Sequence, residues 1–249
     1  MEEVLAALRG QLDELDGLLE PLDEDGWSSP SACEGWSIGD VVLHLAQTNE
    51  MAAASARGSL ADASGSWDRV ETETVDDVAA AAVEAERGAT GAEIHERWRA
   101  SADDMVAALG ACEPNARVLW AVGELAARTL ATTRLAETWI HTQDVAEGLG
   151  VDLPGSDRLW HVTRLVHRTI PYSFARAGED PPDAVRFSLT APDSDDTWDF
   201  GDDDAATVIT GPALDLCRVA GQRTTAADTD LSGEGPAADR VLALVRTFA

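Results

Sequence analysis

The sequence predicts a mainly α protein in two parts, a four-helix bundle over residues 1–150 and a smaller α+β domain over residues 151–249. Three observations point there. Long stretches of the first part repeat apolar residues at three- and four-residue spacing, the period of a helix with one buried face. After "AGEDPPD" the period shifts to two, the mark of a strand. Gly148 and Gly150 close the fourth long helix, and "VDLPGSDR" (151–158) reads as a connection, so the boundary falls near residue 150.

The elements follow in order. Residues 2–19 place Val4, Leu5, Leu8, Leu12, Leu15, Leu18 and Leu19 at helical spacing, and Pro21 ends the helix. "DEDGWSSPSACEGWS" (23–37) reads as a loop, rich in Gly, Pro and Ser and carrying two tryptophans. A second helix begins at "SIGD", where Ser37 as N-cap and Asp40 three residues on form a capping box. Residues 58–76 read as loop, and helices are expected over 76–88, 91–109 and about 118–148. A helix over about 156–176 opens the second part, followed by strands in "AVRFSLTAP", "TWDFG" and "ATVITG". Helices in "PALDLCRVAGQR", ending at Gly221, and "AADRVLALVRTF" complete the chain.

Composition narrows the function. The formal net charge is −28, with 46 acidic residues against 18 basic ones, which disfavours nucleic acid and anionic membrane surfaces as partners. All 18 basic residues are Arg, so Schiff-base and phosphate-loop lysines are excluded. Cys33, Cys112 and Cys217 are widely spaced and odd in number, which argues against a disulfide framework or a cysteine zinc site. The acidic amphipathic start is unlike a signal peptide, and a cytoplasmic protein is expected. The oligomeric state is left open by the sequence.

One stretch carries chemistry. In "RLAETWIHTQDVAEGLG", Arg134, Glu137, His141, Asp144 and Gly148 follow a 3-4-3-4 spacing along one helix stripe. Such a stripe either faces water or points inward, where ionised groups need partners or a metal. His44, in the apolar "VVLHLA", is either a satisfied core histidine or a ligand. Two histidines and a carboxylate are a common catalytic zinc set, and Asp144 is placed to orient a ring nitrogen of His141. His95, surrounded by charge, is expected at the surface. His161 and His167 share no helix face and make poor joint ligands, and the three cysteines read as small buried residues.

"GWSIGDVVLHLA" followed far downstream by "RLAETWIH" resembles the DinB-like metal-binding superfamily, and more narrowly the mycothiol-dependent maleylpyruvate isomerase group of actinobacteria. The loop with Trp27, Cys33 and Trp36 fits that pattern, as does the C-terminal "DDTWDFGDDDAATVITGPALDLCRVAGQR" with Gly221 and Arg223. The acidic stretch around 60–90 departs from it. The resemblance implies a divalent metal, zinc foremost, held by His44, Glu137 and His141, with mycothiol as the thiol cofactor. It further implies cis–trans isomerisation of a small molecule through thiolate addition to a conjugated double bond. Arg134 and Arg223 are the candidates to clamp a substrate carboxylate, beside an ion-pair role for the first and a helix-end role for the second. The alternatives are a mycothiol S-transferase acting on small electrophiles, a metal enzyme using no thiol, and a non-catalytic metal- or ligand-binding module.

Overall fold

The computed structural model describes residues 1–60, 75–121 and 123–247. The loop expected at 58–76 therefore lies largely outside the described residues. The chain divides into two compact units, Met1–Leu153 and Pro154–Ala249. The fold is mainly α with a smaller α+β part, as the periodicity predicts.

The first unit is built on four long helices: α1 (Glu2–Leu19), α3 (Ile38–Ala56), α5 (Gly91–Gly110) and α6 (Ala127–Leu149). α1 buries Val4, Leu5, Leu8, Leu12, Leu15 and Leu19, the apolar stripe of its sequence. It packs chiefly on α6, and α3 packs chiefly on α5. Polar side chains tie the same pairs: Gln11 Nε2 donates to Thr142 Oγ1 at 3.2 Å, and Asn49 Nδ2 to Ser101 Oγ at 3.5 Å. A shorter helix, α4 (Val75–Glu86), buries Val78 and Val83 and lies against α3.

A capping box places the helix that carries His44. Ser37 Oγ accepts from Asp40 N at 3.1 Å, and Asp40 Oδ2 accepts from Ser37 N at 3.0 Å, so the expected capping box is present. Burial raises the Asp40 carboxyl pKa, but the Arg87 guanidinium and the Ser37 backbone outweigh it and hold the group below its ordinary value. At α5, Thr90 and Glu93 form a second capping box, and Gly91 lies under the Trp27 ring, where a Cβ would come within 2.3 Å of Cγ.

The first unit departs from expectation in two places. The loop at 23–37 contains a short helix, α2 (Glu24–Ser28), capped by Asp23. The helix expected from 118 starts only at Ala127, because Arg117–Trp120 (β1) and Gly123–Ala126 (β2) pair as an antiparallel hairpin. Gly123 has φ +100°, outside the range of a right-handed helix. The helix-like spacing of apolar residues there conceals a β-branched and aromatic run that suits a strand.

The second unit opens with α7 (Leu159–Arg168) and α8 (Ile170–Arg176), where one helix was expected. Pro171 has no N–H to give to the preceding turn, and the chain breaks at Thr169. The three expected strands form: β3 (Val185–Thr190), β4 (Thr197–Phe200) and β5 (Thr207–Pro212). A fourth, β6 (Ser232–Glu234), is too short and too exposed to leave a sequence period. The sheet order is β4-β3-β5-β6, with β3–β5 parallel and the other pairs antiparallel. The alternating Val185, Phe187 and Leu189 of β3 meet Ile209, Leu216 and Val241 in this unit's core. α9 (Ala213–Ala220) is the expected helix before Gly221, and α10 (Ala238–Leu244) ends earlier than its sequence pattern.

Because the Ser37 cap fixes where α3 begins, Ser37→Ala is expected to lower the unfolding free energy by about 1 kcal/mol. Chemical denaturation of both proteins measures this, and an unchanged midpoint would show the box to be idle.

Candidate metal centre

α6 turns its charged stripe inward. Arg134, His141 and Asp144 are buried and Glu137 is half-buried, so the inward alternative holds and the solvated one does not. α3 brings buried His44 to face them. The His44 and His141 rings lie edge to face with centroids 5.1 Å apart. One donor atom from each of His44, Glu137 and His141 lies within 4.8 Å of the others.

The environment suits a cation. Burial, then the nearby charges of His141 and Arg134, push the His44 pKa well below its ordinary value, which keeps the ring neutral and its lone pair available. His141 Nδ1 meets Asp144 Oδ2 at 2.9 Å, which leaves Nε2 for the side of His44 and Glu137. Glu137 Oε2 is buried with no hydrogen-bond partner. An unpaired buried carboxylate oxygen between two imidazoles is costly unless a cation or proton meets it. The donor set, its spacing and this orphaned oxygen fit a divalent ion with nitrogen and oxygen ligands.

Arg134 backs the site from the interior. It is 1% exposed, and its Nη2 donates to Thr48 Oγ1 at 2.9 Å and Asn49 Oδ1 at 3.2 Å. Burial lowers its pKa and the Glu137 charge partly restores it. A guanidinium stays protonated even so, and it balances the Glu137 carboxylate. Gln47 turns away, giving Nε2 to Ala82 O of α4 at 3.0 Å. Arg223 stands in the second unit, exposed, with Nη1 on Gly221 O at 2.9 Å beside a cavity of about 910 Å³. The triad, Asp144 and Arg134 are thus assembled within the first unit alone.

Two side chains at or near the site carry more than the sequence indicates. Cys33 Sγ lies 3.0 Å from Asp144 Oδ2, so this cysteine is not simply a packing residue. Its loop is clamped to α6 by Ala32 N donating to Asp144 O at 3.1 Å. The loop comes so near that a Cβ on Gly148 would lie 2.5 Å from Pro30 O. Trp36, from the same loop, covers His44 with ring centroids 5.3 Å apart. The correction is His95: it is not a surface residue but half-buried, 2.6 Å from Asp16 Oδ1 and stacked on Trp98. An acidic residue one helix away and two flanking tryptophans draw it in, a tertiary effect invisible in its local charged sequence. His167 Nε2 lies 2.9 Å from Val185 O, and Cys217 is buried with its thiol pKa pushed up to about 12 by desolvation.

Comparison with known proteins gives the chain a family. The family described as mycothiol maleylpyruvate isomerase N-terminal domain matches residues 8–146. Two proteins of Mycobacterium tuberculosis, from strains CDC 1551 / Oshkosh and ATCC 25618 / H37Rv and both described as uncharacterized, are 33% identical over 250 residues, covering 98% of this chain and 95% of theirs. The crystal structure of the mycothiol-dependent maleylpyruvate isomerase matches with a TM-score of 0.63 at 17% identity, covering 94% of this chain and 95% of that one. That of its histidine-to-alanine mutant matches with the same score at 16%. At such identities the likeness shows the fold. The chain belongs to the mycothiol maleylpyruvate isomerase N-terminal domain family.

The buried, neutral His44 sets a pH dependence. Its folded pKa lies below its unfolded one, so below about pH 6.5 the unfolded chain takes up a proton that the folded chain refuses. His44 therefore contributes stability that is complete above about pH 6.5 and is lost as pH falls toward the folded pKa. In chelator, the denaturation free energy is expected to drop with a slope of at most about 1.4 kcal/mol per pH unit from this group. His44→Phe should remove that part of the slope, and an unaltered slope would mean that the ring is not held neutral.

Proposed function

We propose that this chain is a divalent-metal-dependent enzyme that uses a low-molecular-weight thiol, mycothiol, on a small electrophilic substrate. Isomerisation of a cis double bond conjugated to a carbonyl is the foremost reaction, and thiol transfer to a small electrophile is the alternative. The observation that carries the reading is the convergence of His44, Glu137 and His141 around an orphaned carboxylate oxygen in a chain of this family. With zinc and thiol bound, the group supplied would be a thiolate formed at neutral pH, able to add to such a bond and leave it again.

The protein's own side chains have separate tasks in this proposal. His44 and Glu137, with Nε2 of His141, hold the cation. Asp144 accepts a hydrogen bond from Nδ1–H of His141 and so fixes both the ring's tautomer and its direction. Arg134 sets its positive charge behind Glu137. In this reading its burial gives it that backing role and not a clamp on a substrate carboxylate. Asp144 is engaged at Nδ1 of His141 and in this proposal orients that ring and does not close the triad as a fourth ligand. A three-ligand set with an open position favours catalysis over a purely structural metal. The reading also puts the protein in the cytoplasm, where thiols stay reduced, and among the described residues no helix is long and apolar enough to cross a membrane.

Elemental analysis of the purified protein and of His141→Ala tests this first. Near-stoichiometric zinc that is lost in the variant is expected, and no metal in either protein after incubation with zinc would sink the reading. Asp144→Ala should retain the triad but weaken zinc binding about 10–100-fold, measured by chelator competition. Incubation with mycothiol and a cis-enone acid then separates the reactions. A trans product with the thiol unchanged marks the isomerase, and an accumulating thioether marks the transferase.

A further inference from the structure

His141 has two ring nitrogens, and donor groups wait at both. Nε2 is left for His44 and Glu137, while Nδ1 faces Asp144 Oδ2 at 2.9 Å. Cys33 Sγ lies 3.0 Å from that same oxygen and 3.8 Å from Nδ1. The donor atoms of Cys33, His141 and Asp144 all lie within 4.8 Å of one another. We propose that these three residues form a second cation site, selective for thiophilic metals, which competes with the first for the ring of His141.

The donor chemistry differs between the two faces. His44, Glu137 and His141 offer nitrogen and oxygen, a set that zinc, nickel, iron and cobalt all accept. The second face adds sulfur, which draws soft ions such as cadmium or cuprous copper, and zinc as a borderline case. Its dimensions are close to those required. Zinc–sulfur bonds of about 2.3 Å and zinc–nitrogen bonds of about 2.0–2.1 Å set ligand atoms about 3.3–3.6 Å apart in a tetrahedral site. The 3.8 Å edge is already open, and the two hydrogen-bonded edges, 2.9 and 3.0 Å, need widening by only about half an ångström. Cadmium, a larger ion, needs somewhat more.

The thiol does not meet this face by chance of rotamer. Cys33 N donates to Ser31 Oγ at 3.1 Å, Ser31 Oγ donates to Trp36 O at 2.9 Å, and Ala32 N is bonded to Asp144 O. The backbone of Pro30 and Ser31 rests where Gly148 has no side chain. The loop is therefore fastened to the helix that supplies the other two ligands.

Competition follows from the ring. A neutral imidazole has one nitrogen lone pair to give. With its proton on Nδ1, directed at Asp144, the lone pair on Nε2 serves the first set. A cation in the second site takes the Nδ1 lone pair, so that proton moves to Nε2 and His141 leaves the first set. The Cys33 S–H proton passes to solvent, bonds form from the metal to sulfur, nitrogen and oxygen, and nothing is oxidised or reduced. Binding at the second site stands without the proposed function, whereas the competition rests on it.

Titrating the metal-free, full-length protein with cadmium, and following thiolate-to-metal charge transfer in the ultraviolet, tests both parts. The band is expected to saturate near one ion per chain in the wild type, in His44→Ala and in Glu137→Gln. It should be lost in Cys33→Ala although Cys112 and Cys217 remain, with circular dichroism establishing that the variant is folded. In zinc-loaded protein, zinc should be released as the band grows. A band undiminished in Cys33→Ala, or no band in the wild type, overturns the site. A band that grows without release of zinc overturns the competition alone. A wild type that binds cadmium through Cys33 yet never retains zinc would leave the site standing and remove the proposed function instead.

Discussion

A charged seam turned into the protein governs the first unit. Along α6, Arg134, Glu137, His141 and Asp144 lie on the face that packs inward. Buried charge is tolerated only when each group finds a partner, so the surroundings of the seam are set by its needs. α3 supplies Thr48 and Asn49 to the guanidinium, and His44 to the triad. The loop before α3 supplies a thiol to Asp144. Two buried atoms of the seam, Glu137 Oε2 and Arg134 Nε, stay unmet by protein, and Glu137 stands where two imidazoles converge. The gap in the hydrogen bonding and the gathering of donors are one feature, read once as energy and once as chemistry.

Much of this was legible in the residues because it rests on local spacing. The i,i+4 relation of Glu137 and His141 needs only a helix, and the Ser37–Asp40 box needs only a chain reversal into one. The strands of the second unit declared themselves by alternation, with Val185, Phe187 and Leu189 on one face. What stayed hidden depends on contacts distant in sequence. His95 is drawn inward by Asp16, 79 residues earlier, although its neighbours in the chain are charged. Cys33 meets Asp144 through a loop whose path is set by a missing side chain at Gly148. The hairpin at 117–126 was obscured for a different reason: its apolar spacing suits a helix, and only the backbone of Gly123 rules one out.

The two units answer different physical demands. The first sets a polar seam inside an apolar helix core and holds it with helix packing and caps. The second has an ordinary apolar core in which Phe187, Ile209, Leu216 and Val241 meet across sheet and helices. Its buried Cys217 thiol, bonded to Thr163 and desolvated, is chemically quiet beside Cys33. The same residue type is inert in one unit and set beside a histidine and a carboxylate in the other, so environment rather than identity decides what a cysteine can do.

The wide separation of the donors along the chain has a consequence for the order of events during folding. Cys33 and Asp144 are 111 residues apart, whereas Glu137, His141 and Asp144 follow one another on successive turns of a single helix. A chain emerging from the ribosome completes α3 long before α6 exists, so His44 waits without its partners. Closing so long a loop is an entropic cost met only when the helices pack. On the proposed reading, high-affinity capture of a metal would be postponed until the helices of the first unit pack, and occupancy of the centre would serve as a certificate that this unit has reached its native topology.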